Sequence, residues 1–131
     1  MKIRRAVVDA LIAHARADAP LECCGLLIGS GEQIEESYPA ENIRRSATRF
    51  EVDPAAHFAA IRKARASNRD LLGAYHSHPA SPPIPSETDV REATDPAFVH
   101  VIVSPASAPE IRAYRIKGNR VEALALEVVD A

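Results

Sequence analysis

Three separated pieces of this chain carry side chains that could do chemistry together. Glu22 heads the apolar run Glu22-Cys23-Cys24-Gly25-Leu26-Leu27-Ile28, His76-Ser77-His78-Pro79 lies near the middle, and Ser86-Glu87-Thr88-Asp89 follows a proline-rich stretch. Two imidazoles and one carboxylate are donors suited to a divalent cation. Three protein ligands leave a fourth tetrahedral position for water, as expected of catalytic rather than structural zinc. Hydrolysis of an amide also needs a base that carries the proton to the leaving amine, and Glu22 is the candidate. Plainer readings stand beside these. A His-x-His pair also fits the pH-sensitive end of a strand or a surface turn. Asp89 in a first helical turn favours the helix dipole, Ser86 serves as an N-cap, and Glu22 could simply face solvent at a strand end.

Elements must bring these pieces together. If His76 and His78 end a strand, the period of two sends both rings to one side and Ser77 to the other. Pro79 stops the ladder, and Pro82, Pro83 and Pro85 stiffen the following loop. Ser86 then caps a helix, with Asp89 in the capping-box position from which its carboxylate can turn back to the imidazoles. The rest of the chain reads as a scaffold. Ile3 to Ala17 is an amphipathic helix, and Glu22 to Ile28 is a strand entering the turn Gly29 to Glu32, with Gln33 to Tyr38 as its hairpin partner. Pro39 to Arg49 is a loop and Phe50 to Val52 a brief strand. Asp53-Pro54 caps a second helix that runs to about Ser67. Leu71 to Tyr75, Ala97 to Val103, Glu110 to Ile116 and Arg120 to Val128 are further strands. This order predicts an α/β fold, one mixed β-sheet flanked by helices, forming one domain over residues 1–131.

Composition narrows the function classes. The 131 residues carry a formal net charge of −2, which argues against nucleic acid as the main partner, since phosphate binding needs a concentrated positive face. Ile43-Arg44-Arg45 with Arg49 is the one basic patch and reads as a solvated loop. No apolar run approaches the ~20 residues that span a bilayer, and no signal-peptide core follows the charged start. A cytoplasmic setting is expected. Cys23 and Cys24 are adjacent, too close for an unstrained disulfide, and read as buried thiols rather than nucleophiles. Of the remaining histidines, His14 and His57 fall in helices as surface or packing residues. His100 falls on a strand as a satisfied core or edge histidine, and none of the three is assigned to the site.

The stretches "PLECCGLLIG", "FEVDP", "LLGAYHSHP" and "PSETD" together resemble the JAMM (MPN+, JAB-domain) metalloprotease family, whose pattern is an upstream Glu, then His-x-His-Pro, then Ser-x-x-Asp. The resemblance implies a cytidine-deaminase-like architecture and a Zn2+ ion held by His76, His78 and Asp89. It implies Glu22 as the general acid/base, and Ser86 as donor to the oxyanion, a task that would compete with capping for its one hydroxyl. A mixed nitrogen–oxygen site also accepts iron, cobalt or nickel. The chain is similar to small stand-alone prokaryotic members. The implied substrate is the C-terminal tail of a ubiquitin-like or sulfur-carrier protein, for example a carrier–cysteine adduct from which cysteine is released. The competing readings are a non-catalytic MPN-like interaction module and a metal-dependent phosphoesterase. The oligomeric state stays open, a homodimer included.

Overall fold

The computed structural model describes residues 1–130. Its elements run β1 (Lys2–Arg4), α1 (Arg5–Asp18), β2 (Cys24–Ser30), β3 (Gln33–Ala40), α2 (Pro54–Ala66), β4 (Asp70–Ser77), α3 (Glu87–Glu92), β5 (Val99–Ser104), β6 (Glu110–Lys117), β7 (Arg120–Leu124) and β8 (Glu127–Val129). One eight-stranded mixed sheet takes the order β7-β6-β5-β4-β2-β3-β1-β8. The outermost strands are nearly adjacent in sequence. Three residue steps separate Leu124 from Glu127, and three extended residues reach only ~10 Å. The sheet must therefore curl until its edges almost meet.

Helix α1 fills the hollow of that curl. Val7, Leu11 and Ala15, spaced one turn apart, form its buried stripe and pack with Cys23, Leu27, Tyr75, Val99, Val101 and Val103. Strand β2 lies between β3 and β4, and its continuous apolar run follows from burial on both faces. Gly25 is required there because a Cβ would sit 2.4 Å from the ring of its cross-strand partner Tyr75. The ring space so freed lets the Tyr75 hydroxyl meet His14 Nδ1 at 2.7 Å, while His14 Nε2 faces Asp18 at 3.3 Å. Helix α2 covers the other face through Ala60 and Ala64 against Leu26 and Ile28. Asp53 caps it by accepting the Ala55 N–H at 3.0 Å.

The mixed sheet with flanking helices matches the sequence expectation, and the differences lie at the edges. Ile3 and Arg4, expected inside the first helix, instead join Lys2 in a parallel strand paired with β3 and β8. Three residues are too few to display a period of two. The expected strand at Phe50 to Val52 is a single bridge from Val52 to Asn42. The expected strand Arg120 to Val128 divides at Ala125-Leu126, because its two halves pair at opposite edges. Among the described residues, no helix is long and apolar enough to cross a membrane.

Candidate metal centre

Strand β4 ends at the site. His76 pairs with Cys24 of β2 and with Ile102 of β5. Past the strand end, the His78 N–H still donates to the Val103 carbonyl at 2.9 Å. Both rings turn to one side, as the period of two requires. Ser77 points to the other side, fully buried, where its Oγ accepts the Cys23 N–H at 2.8 Å. The Ser77 N–H in turn donates to the Cys23 carbonyl at 3.1 Å. Glu22 lies two residues before the first pair of that ladder, and its carboxyl interacts electrostatically with His78 and Asp89.

His76 Nε2, His78 Nε2 and Asp89 Oδ2 form a nearly equilateral triangle with edges of 3.1, 3.1 and 3.2 Å. All three residues sit in a buried or nearly buried setting. A tetrahedral zinc with bonds of about 2.0–2.1 Å keeps its ligand atoms roughly 3.3 Å apart, so the triangle has the right size. The proton inventory agrees. His78 Nδ1 lies 2.9 Å from the Pro82 carbonyl, which can only accept, so the Nδ1 proton is spent there and Nε2 presents a lone pair. Neutral His78 thus offers Nε2 to a cation, whereas protonated His78 donates from the same atom to Asp89.

Asp89 reaches this point through the cap of α3. Its N–H donates to Ser86 Oγ at 3.0 Å, while its Oδ2 accepts the Ser86 N–H at 2.9 Å. The expected competition for the Ser86 hydroxyl does not arise. Capping uses an oxygen lone pair, and the hydroxyl proton remains available to another acceptor. The proline loop is tied at Pro82 by His78 and at Pro83 by the Tyr114 hydroxyl, which donates at 2.6 Å.

Burial and hydrogen bonds set the electrostatics. Glu22 is 4% exposed and its Oε1 has no hydrogen-bond partner. Burial raises its pKa to about 7, with the nearby His78 pulling the other way and Asp89 adding to the rise. Burial works against the Asp89 carboxylate, yet the hydrogen bonds from His76 and His78 win and hold it well below the usual range. Burial lowers the pKa of His76, whereas at His78 the bonds to Asp89 and Pro82 outweigh burial and raise it. Burial pushes Cys23 to about 11 and Cys24 to about 12, so neither supplies a thiolate nucleophile at neutral pH.

The structure adds two residues that the sequence reading missed. Asn42 sits in the loop before α2, where its amide donates to the carbonyls of Glu22 at 3.1 Å and Arg49 at 3.0 Å. Its Oδ1 accepts from the N–H groups of Arg44 and Glu51. It thereby ties the Glu22 backbone to the loop that carries Phe50, whose ring stacks on His76 at 4.2 Å. A lone Asn among arginines gave no sign of this. His100 also differs from expectation. Its Nε2 is buried with no partner, and burial lowers its pKa.

Comparison with known proteins agrees with this geometry. The model of prokaryotic homologs of the JAB domain matches residues 4–117. The CysO-cysteine peptidase of Mycobacterium tuberculosis is 36% identical over 132 residues, spanning 98% of this chain and 90% of that protein. The desampylase of Haloferax volcanii is 34% identical over 104 residues, spanning 74% of this chain and 75% of its own. A Desulfitobacterium hafniense protein solved in solution superposes with a TM-score of 0.92 at 32% identity, covering 100% of this chain and 94% of its own. With its match running from the first helix through β6 and enclosing all three motif pieces, this chain belongs to the family of prokaryotic JAB-domain proteins.

Proposed function

We propose that this chain is a zinc-dependent peptidase that hydrolyses an amide or isopeptide bond at the C-terminal tail of a ubiquitin-like or sulfur-carrier protein in the cytoplasm. The observation that carries this reading is an N, N, O triangle of zinc-ligand size together with buried Glu22, whose Oε1 has no partner and whose carboxyl interacts electrostatically with His78 and Asp89. His76, His78 and Asp89 would hold the ion. A bound zinc supplies Lewis acidity, polarising the scissile carbonyl and drawing the pKa of a water toward about 7. Glu22 takes the proton of the attacking water and returns it to the leaving nitrogen. The free Ser86 hydroxyl proton donates to the oxyanion as it develops. Phe50 against His76 and the Pro82 carbonyl on His78 keep both rings in place.

The named relatives, a CysO-cysteine peptidase and a desampylase, favour this reading over a phosphoesterase or an inert interaction module. A carrier–cysteine adduct is the first substrate to try. Purified protein is incubated with a carrier extended by cysteine, with and without a chelator and with zinc restored. Cleavage should need the metal, and Glu22→Gln should keep the ion while slowing turnover by about 10²–10⁴-fold, the usual weight of general acid–base catalysis. Cleavage that survives metal removal, or full activity in Glu22→Gln, refutes the mechanism.

A further inference from the structure

Among the described residues, two buried side-chain polar atoms lack a hydrogen-bond partner, Glu22 Oε1 and His100 Nε2. Such orphans are few in native proteins, and each needs an explanation. Glu22 has one in the hydrolysis above, and His100 has none there. It stands on β5 opposite Ala74 of β4, two positions before His76, and so faces the same side of the sheet as the cation triangle. A cavity of about 200 Å³ opens beside it, lined also by Phe50, Glu51, His76, Asp89 and Glu92. Both glutamates already have partners, Arg44 at 3.1 Å and Arg49 at 3.6 Å. His100 Nε2 is thus a buried polar atom beside this cavity that has no partner.

A larger hollow of about 540 Å³ lies on the other side of α3, lined by Ser86, Val90 and Arg91 among others. Helical periodicity separates those residues from Asp89 and Glu92, which line the small cavity. The two hollows thus flank α3, one lined by Ser86 and the other by His76 and Asp89 of the cation triangle. An acyl tail still joined to a folded carrier needs the larger hollow. The smaller one falls below the ~300–1,000 Å³ of drug-sized pockets, the scale of a single amino acid.

We infer that the cavity over His76 receives the residue released by hydrolysis, and that His100 reads its side chain, favouring a short chain ending in a hydroxyl or thiol over an apolar one. This rests on the peptidase reading. A hydroxyl can both donate and accept, so it satisfies Nε2 in either tautomer. An apolar side chain leaves the atom orphaned, a mismatch that polar sites reject strongly.

The test uses zinc-loaded protein and a ubiquitin-like carrier extended by one residue, either serine, cysteine, α-aminobutyrate or valine. Serine against α-aminobutyrate is the decisive pair, because a cysteine thiol has a second route to the metal. Preference for serine in kcat/KM by about 10-fold or more is expected. His100→Leu should bring the ratio to within about threefold of one, and His100→Gln, which can still donate and accept, should keep most of it. As a measurement independent of turnover, the His100 ring resonances of the parent should move with free L-serine and stay still with L-α-aminobutyrate. That measurement decides the matter should His100→Leu fail to fold. Equal cleavage of the two extensions, or a preference that survives His100→Leu, overturns the assignment while leaving the peptidase intact. No cleavage of any extension sinks the peptidase reading and this inference with it.

Discussion

Replacing Glu22 with Gln isolates the cost of burying one carboxylate. In the metal-free protein, burial moves the Glu22 carboxyl from an ordinary 4.5 to about 7. At about 1.36 kcal/mol per pH unit, this amounts to about 3 kcal/mol. The sign follows from linkage. Between those two pH values the folded chain keeps a proton that the unfolded chain has lost, so stability is fully present below pH 4.5 and drains away as pH rises through 7. Gln has nearly the same shape and no titration. The stability of the parent relative to Glu22→Gln should therefore fall by about 3 kcal/mol between pH 4.5 and pH 8. Urea unfolding of both chelator-treated proteins across that range measures the difference directly, and other titrating groups largely cancel in it. Saturating zinc should flatten the curve, since a nearby cation favours the ionised carboxylate. Curves for parent and variant that run parallel within about 0.5 kcal/mol would refute the claim that Glu22 is buried without a partner.

Three further outcomes follow from particular contacts. Asn42→Ala leaves the Glu22 and Arg49 carbonyls and the Arg44 and Glu51 amides without their partner; a stability loss of about 2–3 kcal/mol is expected in chemical unfolding, with slower turnover as Glu22 loses its anchor. Tyr75→Phe removes the buried hydroxyl held by His14, and should cost about 1–2 kcal/mol while the zinc content, set on the opposite face of the sheet, stays the same. Cys23 and Cys24, with thiols at about 11 and 12, should resist iodoacetamide at pH 8 in the folded protein and react on unfolding, and the reagent should leave peptidase activity intact.

The chemistry was more legible in the sequence than the edges of the scaffold. His76, His78 and Asp89 could be grouped because strand period and capping-box position are local rules, and the structure brings those three side chains to one triangle. Glu22 could be suspected from its type at the mouth of an apolar strand, but its nearness to His78 and Asp89 depends on β2 pairing with β4, which no local pattern encodes. The short strand β1 and the break that separates β8 from β7 were invisible for the same reason, as partners far along the chain define them. Phe50 and Asn42 act through contacts within a loop that has no period at all. His100 looked like any core histidine, and only the packed structure shows its ring nitrogen unanswered.

Helix α3 ties the fold to the proposed cation. Six residues are too few to hold a helix by themselves, so its first turn depends on the capping box. Asp89 Oδ2 serves that box by accepting the Ser86 N–H, and the same atom is a corner of the triangle. Removing the cation frees that carboxylate to swing toward water, and the cap goes with it. A hydrogen bond to a charged group contributes roughly 1.5–3 kcal/mol, so its loss corresponds to about 10-fold or more in local opening. Amide exchange at Asp89 and Val90, whose N–H groups bond Ser86 Oγ and the Ser86 carbonyl at 3.0 Å each, should therefore speed up by that factor when zinc is chelated. The amides of Leu26 and Leu27, deep in β2 between two neighbours, should change far less. Equal acceleration at both places would mean that the ion supports the whole fold rather than this turn. No acceleration at Asp89 would mean that its carboxylate keeps its position without a ligand role.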